Sequence, residues 1–398
     1  MELVSVRIGE APSAPNRVRL LGDVVYDDRP GQVEQYWIEV PEEYAASLSQ
    51  SGNPWITSLL PLAVTLRQPL RVHVPVDPVL FSNIPRLMET WSAWYRRRFP
   101  GVRPVPVDAP LEATALRPGP RESAAFFSGG VDSFYMVLRN PEVRCLLCVR
   151  GFDIPLRVPE EFERLRGRLA TAAEELGREL VDVTTNLRAT RFGVTRWGHL
   201  AHGCALAGVA LAMEPRLESV HIAGTHYEGS IRPWGSHPET DPLLSTSRTR
   251  FVHEDAGVSR STKTELVSRS EVALRSLHVC YRINSSENCG NCKKCILTML
   301  NLELLGTLSR SSTFPKLDLE RVKRTYLKSV SYELLYGDML TKARAAGRTD
   351  VADAIAECLR RSRRLNPLIR GLERLGAWPA LARTSRRLRL KVLADSPR

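Results

Sequence analysis

One stretch constrains this chain more than any other: Ala124-Ala125-Phe126-Phe127-Ser128-Gly129-Gly130-Val131-Asp132-Ser133. A short apolar run that passes through Ser-Gly-Gly into Asp132-Ser133 and the apolar Phe134 to Leu138 predicts a buried strand, a tight glycine turn and a helix start. That geometry makes an anion site. Glycines let backbone N–H groups approach a ligand closely, Ser128 and Ser133 add hydroxyls, and a helix start supplies amides and the positive end of its dipole. Pyrophosphate is the natural guest. The phosphate loop with Gly-Lys-Ser/Thr is not present, because no lysine precedes Lys263. An ordinary strand-to-helix turn capped by Asp132 is the plainer alternative.

From Ser123 onward the pattern alternates strand and helix. Strands are expected at Val143 to Val149, Glu179 to Thr184 and Ser219 to Ala223, and helices at Glu160 to Leu176 and Trp197 to Met213. This predicts an α/β fold with a doubly wound parallel sheet, in which ligands sit beyond the carboxyl ends of the strands near the switch point. The segments to inspect are Ser128 to Ser133, Gly151-Phe152-Asp153, Thr185 to Arg188, and Gly224-Thr225-His226-Tyr227. The stretch from Trp234 to Ser245 joins them, rich in rigid and ligand-capable residues. Its Trp234, His237 and Asp241, with Gly224 and His226, are the expected substrate wall. Either histidine could act as a base or orient a carboxylate, and Asp241 could join Mg²⁺, bind a donor or simply cap a turn.

Four of the eight cysteines cluster as Cys280-x8-Cys289-Gly-Asn-Cys292-Lys-Lys-Cys295. Four thiolates at this spacing suit one tetrahedral ion, with zinc the best fit and an iron–sulfur cluster the alternative; a shell of four cysteines leaves no open position, so the metal would be structural. Cys145 and Cys148 also have CxxC spacing, but three residues apart on an apolar strand they point to opposite faces and are expected to pack. Cys204 and Cys358, each alone on a helix, receive the same reading.

With every fixed position of SGGxDS filled, the string from Ser128 to Ser133 resembles the signature of the PP-loop ATP pyrophosphatase superfamily. The order SGGVDS, then Lys263 in Ser261-Thr262-Lys263-Thr264-Glu265, then the cysteine knot, is similar to the 7-cyano-7-deazaguanine synthases within it. The resemblance covers roughly Ser123 to Leu305. It implies an adenine nucleotide alpha hydrolase-like fold and cleavage of ATP between the α- and β-phosphates. Ser128, Gly129, Gly130, Val131, Asp132 and Ser133 would hold pyrophosphate, and Gly151 and Asp153 would face adenosine. Asp132 would help hold Mg²⁺, and Lys263 would neutralise charge at the α-phosphorus. The acceptor would be a carboxylate on a small molecule or a protein terminus, and the donor ammonia or an amine. The family's Tyr-Pro-Asp-Cys-Arg substrate segment is replaced here by Trp234 to Ser245, and the arginine expected three residues after the last cysteine is Thr298.

Around this core, residues 1-115 read as a separate N-terminal α+β domain, with strands at Arg17 to Tyr26, Gln35 to Val40 and Leu70 to Val74. Helices are expected at Pro41 to Ser49, Pro54 to Arg67 and Val79 to Phe99. A Pro-rich linker leads to the ATP-binding domain, 121-306, and a helical region, 307-398, follows. The net charge of +12 resides in this last region, where 21 Lys and Arg face 9 Asp and Glu between Arg310 and Arg398. Its Arg360-Arg361-Ser362-Arg363-Arg364 and Arg386-Arg387-Leu388-Arg389 could bind RNA or be a solvated face. No apolar run approaches the roughly 20 residues that span a bilayer, and the N-terminus lacks a signal-peptide layout, so a cytoplasmic protein with no membrane partner is expected. Its oligomeric state is open, a dimer included. The expected activity is that of an AMP-forming carbon–nitrogen ligase. The alternatives are a tRNA-modifying enzyme of the same superfamily and a nucleotide-binding scaffold without turnover.

Overall fold

A computed structural model describes the chain except for residues 13, 114–120, 226–230, 282–284, 329 and 375–398. The described residues form two compact units, Met1–Ser259 and Arg260–Arg398. No described helix is long and apolar enough to cross a membrane.

The first unit is built on one mostly parallel sheet of ten strands. In chain order its elements are β1 (Glu2–Glu10), β2 (Arg17–Tyr26), β3 (Arg29–Pro41), α1 (Asn53–Leu66), β4 (Leu70–Val72), α2 (Pro78–Tyr95) and β5 (Val107–Asp108). There follow β6 (Glu122–Phe126), α3 (Val131–Arg139), β7 (Val143–Arg150), α4 (Pro159–Glu175), β8 (Glu179–Thr185), α5 (His202–Leu211), β9 (Leu217–Ala223) and β10 (Arg250–Glu254). The spatial order is β10-β9-β6-β7-β8-β3-β2-β1-β4-β5. Strands β10, β9, β6, β7 and β8 are mutually parallel. β7 is an almost unbroken apolar run with Cys145, Leu146, Leu147 and Cys148 all buried, as a central parallel strand covered on both faces requires.

The winding reverses at β6. Successive crossovers carry the chain from β6 to β7 and β8, and the next carries it back across the sheet to β9 on the other side of β6. Right-handed crossovers put α3 and α4 on one face and α5 on the other, and open a crevice at the carboxyl ends of β6 and β9. The turn from Ser128 to Gly130 follows β6 directly into that crevice.

The sheet also runs across the boundary expected near residue 115. β3 pairs antiparallel with β8, Ile38 opposite Thr185 and Glu39 opposite Thr184. Beyond the last ladder pair, Asn186 continues the seam by accepting from Trp37 N at 2.8 Å and donating to Gln35 O at 2.9 Å. Three strands that the sequence reading omitted, β1, β5 and β10, complete the sheet. The helix expected at Pro41 to Ser49 is a 3-10 turn over Glu42–Ser47. The helix expected from Trp197 divides into a π-helical turn, Trp197–Ala201, and α5.

The second unit contains α6 (Arg260–Val267), α7 (Glu271–Ser276), α8 (Lys293–Leu304), α9 (Leu319–Arg324), α10 (Val330–Ala345) and α11 (Thr349–Arg374). Ile296, Leu297 and Leu300 of α8 pack with Val322, Tyr336, Met339, Ile355 and Cys358 into its core. Arg360 to Arg364 lie on α11, and Arg386 to Arg389 lie outside the described residues.

Candidate functional site

The loop after β6 has the conformation its residues predict. Gly129 takes φ 75°, in the left-handed region, and Gly130 caps α3 in an extended conformation, φ −74° and ψ 163°. Phe134 N donates to Gly130 O at 3.0 Å as the helical ladder begins, so the turn before it stands at the helix start. Ser128 is exposed, Asp132 is half-buried in the first turn and Ser133 is buried. The Ser133 hydroxyl donates to Gly130 O at 3.0 Å, so in this state it braces the loop from inside. Phe127 and Phe134, ring centroids 4.8 Å apart, anchor both ends in the core. A cradle of this kind, at the switch point of a parallel sheet, is chemically suited to hold a phosphate group.

After β7, Gly151 has φ 102°, and a Cβ there would stand 2.0 Å from Thr185 O, so only glycine lets the turn lie against the end of β8. Phe152 packs on Trp197 with centroids 5.0 Å apart. Its carbonyl accepts from Arg188, whose guanidinium sits 4.4 Å from the Trp197 ring centroid. Asp153 is exposed.

After β9, Gly224 donates to Glu254 O at 2.8 Å, tying the end of β9 to β10. His226 lies outside the described residues. Trp234 is half-buried, its ring 4.9 Å from His199, and two backbone bonds hold its neighbourhood to the π-helical turn and the start of α5: Gly235 N to Gly198 O at 2.8 Å and Gly203 N to Gly235 O at 2.9 Å. His237 is buried against Trp94 at 4.6 Å, and its Nδ1 accepts from Glu239 N at 3.1 Å. Burial pushes its pKa below the ordinary histidine value, so it sits in the core as a neutral ring.

Asp241 is fully buried, and both its oxygens are committed inside the fold. Oδ2 accepts from Ser236 Oγ at 2.6 Å and lies 2.7 Å from His253 Nδ1, while Oδ1 accepts from His237 N at 3.1 Å. The turn-capping alternative fits these contacts, and they leave Asp241 unsuited to Mg²⁺. His253, which sequence reasoning missed, is thereby oriented with Nε2 toward Gly224: a Cβ on that glycine would stand 3.0 Å from it. Next to it Glu254 holds His221 at 2.7 Å, and His221 Nε2 lies 3.3 Å from Ser219 Oγ. Ser219 and His221 are buried and Glu254 is half-buried, and with Ser219 donating to Ser123 at 2.7 Å this serine–histidine–carboxylate order braces β6, β9 and β10. Both histidines lie on strands whose short polar-apolar pattern gives no motif, and only pairing places a carboxylate beside each.

The second unit carries the cysteine cluster. The ligand sulfurs of Cys280, Cys289, Cys292 and Cys295 all lie within 4.8 Å of one another, with Cys289 and Cys295 3.9 Å apart. Four sulfurs at about 2.3 Å from one tetrahedral ion are about 3.8 Å apart. A cluster in which each cysteine binds its own iron spreads them further. Asn288 pins the segment carrying Cys280, its Oδ1 accepting from Val279 N at 2.9 Å and Cys280 N at 3.2 Å. Cys289 Sγ accepts from Asn291 N and Cys292 N, and Cys292 Sγ caps α8 by accepting from Cys295 N at 3.4 Å. The four cysteines can hold a metal ion such as zinc.

The other cysteines are buried free thiols, and burial raises Cys145, Cys148 and Cys358 to about 12. Lys263, on α6 of the second unit, is buried with 1% exposure. No family model, curated protein or solved structure matches the chain.

Proposed function

We propose that this protein is an ATP-dependent ligase that forms AMP and pyrophosphate, adenylating a carboxylate or carboxamide and transferring nitrogen to it to give an amide or nitrile. The observation that carries the reading is the complete Ser128-Gly129-Gly130-Val131-Asp132-Ser133 string standing as a strand–turn–helix at the reversal of a parallel sheet. In this reading the Ser128 to Gly130 backbone and the start of α3 grip the β- and γ-phosphates, Asp132 helps hold Mg²⁺, and the turn at Gly151 faces adenosine. Catalysis comes from positioning and from charge neutralisation rather than from a covalent enzyme intermediate. Buried thiols held at about 12 fit that view, since a thiol at that value supplies almost no nucleophilic thiolate at neutral pH. The cysteine cluster is assigned a structural zinc, with no open coordination position for chemistry.

The test is nucleotide product analysis. The protein is incubated with MgATP and ammonium, with and without a pool of carboxylates that includes 7-carboxy-7-deazaguanine, and AMP, ADP and pyrophosphate are resolved. AMP with equimolar pyrophosphate, abolished in Asp132→Ala, is the expected result, and dependence on one pool member names the acceptor. ADP with phosphate would overturn the mechanism, and tight ATP binding without turnover would identify a nucleotide-binding scaffold instead. Lys263, implicated by the same resemblance, is tested by Lys263→Ala in this assay.

A further inference from the structure

Three stretches of the first unit contain no carboxylate: residues 92–107, 187–213 and 231–238. The fold brings them together through rings. Tyr95, at the end of α2, donates its hydroxyl to His199 O at 2.6 Å. His199 then packs on Phe99 at 5.4 Å and Trp234 at 4.9 Å, centroid to centroid. Guanidinium groups stack on the same cluster, Arg196 at 3.8 Å and Arg98 at 5.1 Å from the Phe99 ring centroid. Arg98, Arg196 and Arg232 are exposed, while Trp94, His199 and Trp234 are half-buried at the rim. Among the described residues no carboxylate pairs with these three exposed arginines, whereas the partly buried Arg17 and Arg216 are each paired.

Two further facts concern His199. His199 Nδ1 is buried without a hydrogen-bond partner among the described residues. Its pKa is also held below the ordinary value, by burial first and then by Arg98, Arg196 and Arg232, so the three positive charges converge on this ring. Both the π-helical turn and the segment at Trp234 follow the carboxyl ends of strands, β8 and β9, on the rim where parallel sheets bind ligands.

We propose that Arg98, Arg196 and Arg232, with Trp94, His199 and Trp234, form a binding surface for an unpaired nucleotide segment. Phosphates lie against the guanidinium edges and bases stack on the rim rings. Charge alone would suit any anion; indole and imidazole rings placed among unpaired arginines suit a chain that alternates phosphate with planar bases. A duplex hides its bases and gains nothing from the rings. Binding of this kind needs no ATP turnover, so it and the ligase reading fail independently.

The experiment is fluorescence anisotropy of the full chain, without ATP, against labelled 12-nucleotide single strands of RNA and of DNA, the same sequences as duplexes, and polyglutamate as competitor. A single strand should bind, and RNA against DNA reveals which source is preferred. Three phosphate contacts predict a loss of about 18-fold in affinity between 50 and 200 mM salt, from a slope of roughly 0.7 per contact. The pair Arg98→Glu and Arg196→Glu, both exposed, should weaken binding at least about tenfold, and Trp234→Ala at least about fivefold. Quenching of tryptophan emission in the unmodified protein gives a readout that needs no variant to fold. Replacing Arg360, Arg361, Arg363 and Arg364 of α11 by glutamate should leave binding within about twofold. Equal binding of duplex, full competition by polyglutamate, loss confined to the α11 variant, or unchanged binding in the Arg98/Arg196 pair would each overturn the proposal.

Discussion

Single residues near the crevice hold positions that no near relative could take. Gly151 is the sharpest case, since its φ of 102° and a Cβ contact of 2.0 Å to Thr185 O are both incompatible with alanine. Gly151→Ala should cost about 2–3 kcal/mol, lowering Tm by about 6 °C, and a scan that finds the variant within 1 °C of the parent would contradict the geometry. His237 yields a pH-dependent prediction. Its folded pKa lies below the unfolded value of about 6.5, so the unfolded state binds the proton more readily. Stability from this ring is therefore fully present above about pH 6.5 and is lost as pH falls below it. His237→Asn keeps an acceptor for Glu239 N and removes the titration, so its Tm should decline less steeply than the parent's between pH 7 and 5. Parallel declines would show that His237 does not carry the effect. A sequence reader finds Gly151 and His237 as residues after strands, but not that the histidine is a buried neutral ring, because its burial comes from Trp94, distant in the chain.

At the scale of elements, what was legible is what local chemistry dictates. The turn at Ser128 to Gly130 and the knot at Cys280 to Cys295 carry their structure in a few adjacent residues, and both stand as their spacing predicts. β10 was missed because Arg250–Glu254 is short and draws its identity from pairing with β9, and the π-helical turn was missed because its apolar period matches an ordinary helix. A metal held by the four cysteines would also tie α8 to its presence. Cys292 is the N-cap of α8, Cys295 lies in its first turn, and α8 supplies the core of the second unit. Metal binding to such a site is folding free energy. The purified protein should carry about one zinc per chain by elemental analysis, Cys295→Ser should lose it, and chelation should speed amide exchange along α8. Iron with visible cluster absorbance would replace the zinc assignment; unchanged exchange after metal removal would make the site dispensable for the helix.

Across the first unit, the carboxylate of Glu214 joins distant parts of the chain. Only 2% exposed, it accepts from Asn53 of α1 at 2.9 Å, from Thr246 Oγ1 at 2.5 Å and from Arg248 at 3.4 Å, while Arg248 also pairs with Glu112. Asn53 Oδ1 in turn accepts from Asp77 N at 2.8 Å, and Asp77 caps α2 and holds Ser247. This polar chain, with the β3–β8 seam, explains why the boundary expected near residue 115 is not a break in the fold: the linker composition is real, but a buried network assembled from residues 53, 77, 112, 214 and 246–248 is invisible to any local pattern. Removing one member leaves the others desolvated and unpaired, so Glu214→Ala should cost about 3–5 kcal/mol, whereas Glu163→Ala, which breaks the exposed pair with Arg166, should cost under about 1 kcal/mol. Glu214→Gln, which keeps one acceptor oxygen, should fall between them. Denaturant unfolding of the three variants measures this ordering. If Glu214→Ala loses no more than the surface variant, the network does not hold the N-terminal strands and helices to the parallel strands β6 to β10, and β3–β8 pairing must do so alone.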